Sequence, residues 1–283
     1  MLRRSTLQLL RFHFSFFLMP VYWFGISQVG EIDIWSSIIV FFILHLLVYP
    51  ASNGYNSYMD RDETSIGGLM KPSKPTKQLF FVTEIMDVLA ICLSFFVSLY
   101  FVIGIFSYIV SSRLYSYRGI RLKKYPIYGY LTVVFFQGAV IFFLVYHGCS
   151  VNKTLQVPAL CLLASLLLIG GFYPLTQIYQ HKEDLKDKVK TLSYLLGYRG
   201  TFVFCGLMYC AAFVVLAVYF INKTMVLDFY ILATLMLPVI LYFFYWAAKV
   251  WKEETQANFS NTMRMNIIAS VFTNISFIVI LFR

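Results

Sequence analysis

W-S-S-I-I-V-F-F-I-L-H-L-L-V-Y-P-A-S-N-G-Y-N-S-Y-M-D, Trp35 to Asp60, is an apolar run that ends in a polar one. Its apolar part, residues 35 to 55, has the length of about 20 residues that a helix needs to cross a bilayer. The last part, P-A-S-N-G-Y-N-S-Y-M-D (Pro50 to Asp60), returns in outline 124 residues later as P-L-T-Q-I-Y-Q-H-K-E-D (Pro174 to Asp184). Each copy reads Pro, four residues, Tyr, then a side-chain amide with an Asp four residues after it. A helix continuing past the apolar run would show Asn56 with Asp60, and Gln180 with Asp184, on one face. Two polar clusters placed alike at membrane edges point to one shared site.

The rest of the 283 residues agrees with a membrane setting. The chain is 60% hydrophobic and 13% charged, with a mean hydropathy of +0.73, well above the apolar content of a soluble domain. Apolar stretches fall near 9–28, 35–55, 79–98, 104–116, 126–147, 157–179, 201–221, 227–247 and 265–282. The expected fold is therefore an all-α polytopic membrane protein, one domain over residues 1–283, with nine transmembrane helices. Residues 79 to 116 are the ambiguous part, and charge decides the division. With a turn near 99–104 and the N-terminus inside, twenty of the 23 basic residues are cytoplasmic. A single fused helix would put the cluster from Arg113 to Lys124 outside, against the positive-inside rule.

The net charge of +10 is spread over short loops beside apolar spans. Topology and anionic membrane lipid explain it, so no nucleic acid partner is expected. The five cysteines form no CxxC pair, which leaves no disulfide frame or zinc site. Trp23, Trp35, Trp246 and Trp251 sit near span ends and read as interfacial anchors. His181 reads as a solvated loop histidine. The 124-residue offset also carries helices two to four roughly onto six to eight, as a parallel four-helix repeat would; coincidence is the alternative.

The two clusters hold Asn56, Asp60, Asp62 and Glu63, and Gln180, Glu183, Asp184 and Asp187. Carboxylates packed without cations raise one another's pKa. A hard divalent ion such as Mg²⁺ resolves the repulsion with one or two carboxylates, water and phosphate oxygens. Each cluster has the donors for one ion, with a diphosphate bridging the two; the alternative is two solvated loops with incidental acids. Basic inner segments at 70–77 (including Lys74), 121–124 (Arg121, Lys123) and 186–190 would face such a diphosphate, and Tyr115 and Ser116 could donate hydrogen bonds to it. Glu84 and Asp87, one turn apart, could orient an acceptor, but the favoured reading makes them partners of Lys77 or interface residues.

Three segments carry a resemblance. N-x3-D followed by Arg-Asp (Asn56, Asp60, Arg61, Asp62), L-Y-S-Y-R-G-I-R-L-K-K (Leu114 to Lys124) and Q-x2-E-D-x6-T-L (Gln180, Glu183, Asp184, Thr191, Leu192) resemble the UbiA superfamily of intramembrane prenyltransferases. N-F-S-N-T-M-R-M-N (Asn258 to Asn266) is similar to the start of that family's last helix. The resemblance implies that the nine helices surround a central cavity, and that the protein is a Mg²⁺-dependent enzyme that moves a prenyl group from an allylic prenyl diphosphate to a lipophilic, aromatic acceptor. By position it makes Asn56 and Asp60 ligands of one ion and Asp184 of the other, with Arg121 and Lys123 holding the diphosphate.

Two acids of the family pattern are missing, at Thr64 and Gln180, and Lys188 stands where a Gly is common. Asp62, Glu63 or Asp187 would then take over ligation, with Glu183 a further candidate ligand, and Gln180 still offers a carbonyl oxygen. A terpene cyclase or a non-catalytic prenyl-diphosphate binder on the same fold is the near alternative, and a small-molecule transporter the distant one. The expected location is a bacterial inner (cytoplasmic) membrane with the active site facing the cytoplasm.

Overall fold

The computed structural model describes residues 2–283. Among the described residues the regular structure is helical and no strand forms. We number the helices α1 (Arg4–Ser27), α2 (Ile34–Asp60), α3 (Lys77–Ser94), α4 (Leu99–Ser116), α5 (Pro126–Cys149), α6 (Ala159–Gln177), α7 (His181–Lys186), α8 (Leu192–Asn222), α9 (Val226–Leu235), α10 (Leu237–Lys252) and α11 (Phe259–Leu281). Seven are long and apolar enough to cross a membrane, and eight spans result when the bent pair α9 and α10, 41° apart, counts as one. Helices are the natural answer to a solvent without hydrogen bonds, because each satisfies its own backbone. Large apolar side chains such as Leu207, Val214, Leu241 and Phe244 point outward, so the chain is an integral membrane protein. Nine spans were expected. The additional candidate is α3, which packs on α2 and α4 but carries Lys77, Glu84 and Asp87, so its length and composition do not certify it.

Side-chain caps set several helix starts. Asp33 accepts from the Ser36 N–H at 3.0 Å and Ser98 from the Phe101 N–H at 3.0 Å. Thr191 accepts from the Tyr194 N–H at 3.2 Å and Asn258 from the Asn261 N–H at 3.0 Å; each satisfies a donor that the helix leaves open. The Ser98 cap moves the expected break. The chain turns at residues 95–98, and α4 runs the full 18 residues from Leu99 rather than starting near 104.

Local irregularities position the site. A π-helical turn, Ile43–Val48, precedes Pro50 and absorbs the backbone bond that proline cannot make, while α2 continues unbroken to Asp60. A second π-turn, Val134–Val140, presents Gly138 to α6. A Cβ there would lie 2.9 Å from Leu166 Cα, so this approach requires glycine. Gly197 (φ 67°) kinks α8. In α1, Arg11 adopts a left-handed conformation (φ 48°) between an α-helical and a 3₁₀ turn.

The core brings α1, α5 and α11 together through aromatic rings, with Phe24 stacked on Phe277 at 4.5 Å and tilted against Phe142 at 4.8 Å. Trp246 corrects the interfacial expectation. Its ring is fully buried, packs against Phe202, and donates its N–H to the Gln256 carbonyl at 2.9 Å.

Candidate active site

The last turn of α2 carries Asn56 and Asp60 on one face, as the spacing requires. Arg61 (φ 57°) ends the helix in the left-handed region, and the Arg118 guanidinium donates to the freed carbonyls of Met59 (2.6 Å) and Asp60 (3.2 Å). A cation there also meets the negative end of the helix dipole. One turn back, Ser52 and Ser112 join α2 to α4 at 2.6 Å, and Asn56 Nδ2 donates to Ser116 Oγ at 3.0 Å. That bond orients the Asn56 amide and leaves its oxygen as the group on offer.

The loop after α4 supplies the positive charge. Arg121 (φ 52°) is buried, and its guanidinium spans two carboxylates: Asp60 at 3.3 Å, and Asp187 through a bond to the side chain and another to the carbonyl (3.2 Å). Lys123 pairs with the other oxygen of Asp60. One basic loop thus ties the first acidic motif to the second.

On the opposite side α6 ends at Gln177, and the chain turns through residues 178–180 into α7. This motif is therefore a turn and a short helix, not a continuous helix as in α2. The Asp184 N–H still bonds the Gln180 carbonyl at 2.9 Å, so the two residues keep the expected i,i+4 relation. Gln180 Nε2 donates to the Ser65 carbonyl at 3.2 Å, binding the second motif to the loop that follows the first.

These elements surround a cavity of about 200 Å³. Asn56, Asp60, Asp62, Tyr115, Ser116, Lys123, Gln180 and Asp184 all line it. Arg121 and Asp187 stand behind Asp60 and outside that lining. Lys74 is exposed and Glu183 pairs with Lys186 at 2.9 Å, both away from the wall. Thr64 is exposed as well, whereas Gln180 lies on the wall.

The electrostatics favour a cation. Burial pushes the Asp184 carboxyl up to about 7; Lys123 opposes this, and Asp62, Asp60 and Asp187 add to it. Burial, then the charge of Asp60, pushes Asp62 up to about 6. For Asp187 burial is outweighed by the bond and charge of Arg121, which hold it below the ordinary carboxylate value. Carboxylates on one wall therefore lack sufficient positive charge. Among the described residues no group of three or more His, Cys, Asp or Glu side chains forms a ready cage. The donors are oxygens from separate elements, which suits a hard ion completed by phosphate and water.

Sequence reasoning missed part of the wall. Arg11 is buried beside Asp60 and Asp62, donates to the carbonyls of Asn53 (3.1 Å) and Gly67 (3.4 Å), and lies over the Phe14 ring at 5.5 Å. Its signal was a lone charge inside the apolar run T-L-Q-L-L-R-F-H-F, a placement that marks function more often than topology. Tyr173, hydrogen-bonded to Tyr115, and Gln177, which donates to Tyr173 at 2.9 Å, complete a polar floor.

Two further expectations are corrected. His181 is buried, bonded to Ser193 Oγ at 2.8 Å and stacked on Tyr198; burial pushes it down to about 4. It fastens α7 to α8 and is not a solvated residue. Glu84 (3.2 Å) and Asp87 pair with Arg113, not Lys77, and Arg113 sits over the Tyr55 ring at 3.9 Å. Lys188 has φ 57°, which gives the family's glycine at that position a physical reason.

A family model described as the UbiA prenyltransferase family matches residues 17–268. No curated protein matches the chain in sequence. The fold is similar to that of a UbiA homolog from Archaeoglobus fulgidus bound to Cd²⁺, with a TM-score of 0.70 and 16% identity over 98% of this chain and 99% of that one. The homolog from the same organism bound to DMAPP and Mg²⁺ gives 0.68 and 17% over 98% and 99%. A digeranylgeranylglyceryl phosphate synthase gives 0.65 and 21% over 98% of each chain. At these identities the likeness speaks for the fold, and the chemistry rests on the cavity.

Proposed function

Because the chain belongs to the UbiA prenyltransferase family, we propose that it transfers a prenyl group from an allylic prenyl diphosphate to a lipophilic, aromatic acceptor with Mg²⁺. The observation that carries this reading is the meeting of Asn56, Asp60 and Asp62 with Gln180 and Asp184 around one cavity that Lys123 also enters. The structures of the archaeal homolog with DMAPP or GPP and Mg²⁺ support it.

Asn56, Asp60 and Asp62 would hold one ion, and Gln180 and Asp184 the other. Bound there, Mg²⁺ would neutralise negative charge as it develops on the departing diphosphate. Lys123 and Arg121, already beside Asp60, add to that stabilisation from fixed positions. In the reaction the bond between the allylic carbon and the diphosphate oxygen breaks, and both electrons leave with the oxygen. An acceptor carbon or oxygen supplies the pair for the new bond, and its proton passes to the released diphosphate. Tyr108, Phe136 and Phe172 on the wall exclude water from the allyl cation and offer it aromatic faces. The basic loops facing the cavity support a site on the cytoplasmic side, and the membrane of the proposal is a bacterial inner membrane.

The test is to incubate purified protein in lipid nanodiscs with Mg²⁺, prenyl diphosphates of increasing length and a lipid extract, and to identify products by mass. We expect a prenylated lipid, absent with Asp60→Ala and with Asp184→Ala. Unchanged product from both variants would reject the proposal.

A further inference from the structure

A second, mostly apolar chamber of about 70 Å³ shares Phe172 with the wall of the first cavity. Helices α1, α6 and α11 form much of its wall, and Phe24 and Phe277 stack within it. Tyr209 and Thr273 line this space, and so do two serines, Ser165 from α6 and Ser270 from α11. Both serines are almost fully buried, at 1% and 2% exposure, and neither hydroxyl has a hydrogen-bond partner. One turn to either side of Ser270, on the same face of α11, Asn266 and Asn274 are also buried, and both the nitrogen and the oxygen of each amide are unpartnered.

Not every hydroxyl of α11 is left unpaired. Thr273 and Ser276 on the same helix bond their own backbone, to Ala269 (2.6 Å) and Phe272 (2.7 Å). A serine in a helix can always satisfy itself that way, yet Ser270 does not. Polar groups withdrawn from water and left unpaired are costly, more so within a bilayer. No Lys, Arg, Asp or Glu lines the chamber.

We infer that this chamber is the acceptor subsite, and that the acceptor is a neutral lipophilic ring carrying hydroxyl or carbonyl groups that pair with Ser165 and Ser270. The inference rests on the prenyltransferase reading and narrows it. A hydrocarbon tail in the chamber would leave Ser165 and Ser270 unpaired, and a carboxylate or phosphate acceptor would meet no cation.

The experiment uses the full chain in nanodiscs and three probes: a neutral dihydroxynaphthalene, a hydroxybenzoate and glycerol phosphate. Binding of each is measured by equilibrium dialysis, and binding of geranyl diphosphate with Mg²⁺ is measured separately. We expect the neutral ring alone to bind. Ser165→Ala with Ser270→Ala should weaken it about tenfold, the loss of two ordinary hydrogen bonds, and Ala269→Leu should block it by filling the space. In both variants geranyl diphosphate binding should stay within about twofold, and the melting midpoint of the serine variant should not fall, since only unpaired hydroxyls are removed. Selective binding of an anionic probe, unchanged binding of the neutral ring, or a loss of prenyl diphosphate affinity that grows with chain length would overturn the inference. Failure of geranyl diphosphate to bind the parent protein would instead overturn the prenyltransferase reading.

Discussion

Replacing Asp184 with Asn tests the electrostatics of the cavity in a measurable way. Burial and the neighbouring acids raise this carboxyl from 3.8 to about 7, so the folded protein holds the proton more tightly than the unfolded chain. Its contribution to stability is fully present below about pH 4 and is lost as pH rises to about 7, above which the effect is flat. At 1.36 kcal/mol per unit the shift corresponds to on the order of 4 kcal/mol. Because Asp184 is only partly buried, screening reduces this to roughly 2 kcal/mol. Asn carries no such penalty. The assay is the melting midpoint by intrinsic fluorescence in nanodiscs, from pH 4.5 to 8, in chelator and in Mg²⁺. In chelator the parent should lose stability towards neutral pH, and Asp184→Asn should lose less; a smaller slope remains below about pH 6 from Asp62. Mg²⁺ should stabilise the parent at pH 8, where the carboxylate is free to bind it, and should stabilise the variant little. An unaltered pH slope in the variant, or an unaltered response to Mg²⁺, would refute the reasoning.

Gln180→Asp adds an acid to the cavity wall and should tighten Mg²⁺ binding in a titration, whereas Thr64→Asp, on an exposed residue, should change it little. Arg121→Lys retains the charge but not the fork that spans Asp60 and Asp187; prenyl diphosphate affinity should fall about tenfold or more, as expected for charge-assisted bonds worth about 1.5–3 kcal/mol. Lys188→Gly relieves a left-handed residue (φ 57°) and should stabilise the protein by about 1 kcal/mol, read as a higher melting midpoint with diphosphate affinity unchanged.

The sequence exposed those parts of the fold that follow from periodicity and charge. Span positions, the break before α4 and the pairing of Asn56 with Asp60 all follow from the cost of leaving a backbone or a charge unsatisfied in lipid. Residues 178–180 were read less well. Nothing in Q-I-Y-Q-H-K announces that the helix stops and restarts there, and the burial of His181 depends on Ser193 and Tyr198 arriving from α8. Partner choice was equally hidden: Arg113 takes Glu84 and Asp87 because α4 lies beside α3, a tertiary fact. Arg11 could have been found earlier, as a charge within an apolar run. Ser165 and Ser270 could not, since serine is ordinary in membrane helices and only the absence of a partner sets these two apart.

The proposed function requires two distant motifs to hold one diphosphate through two metal ions. Electron paramagnetic resonance of Mn²⁺ bound to the purified protein measures this directly. The account predicts two spin-coupled ions per chain when a prenyl diphosphate is present, and loss of that coupling with Asp60→Ala and with Asp184→Ala. Prenyl diphosphate binding that is equally tight in chelator, or a coupled pair that survives either substitution, would contradict it.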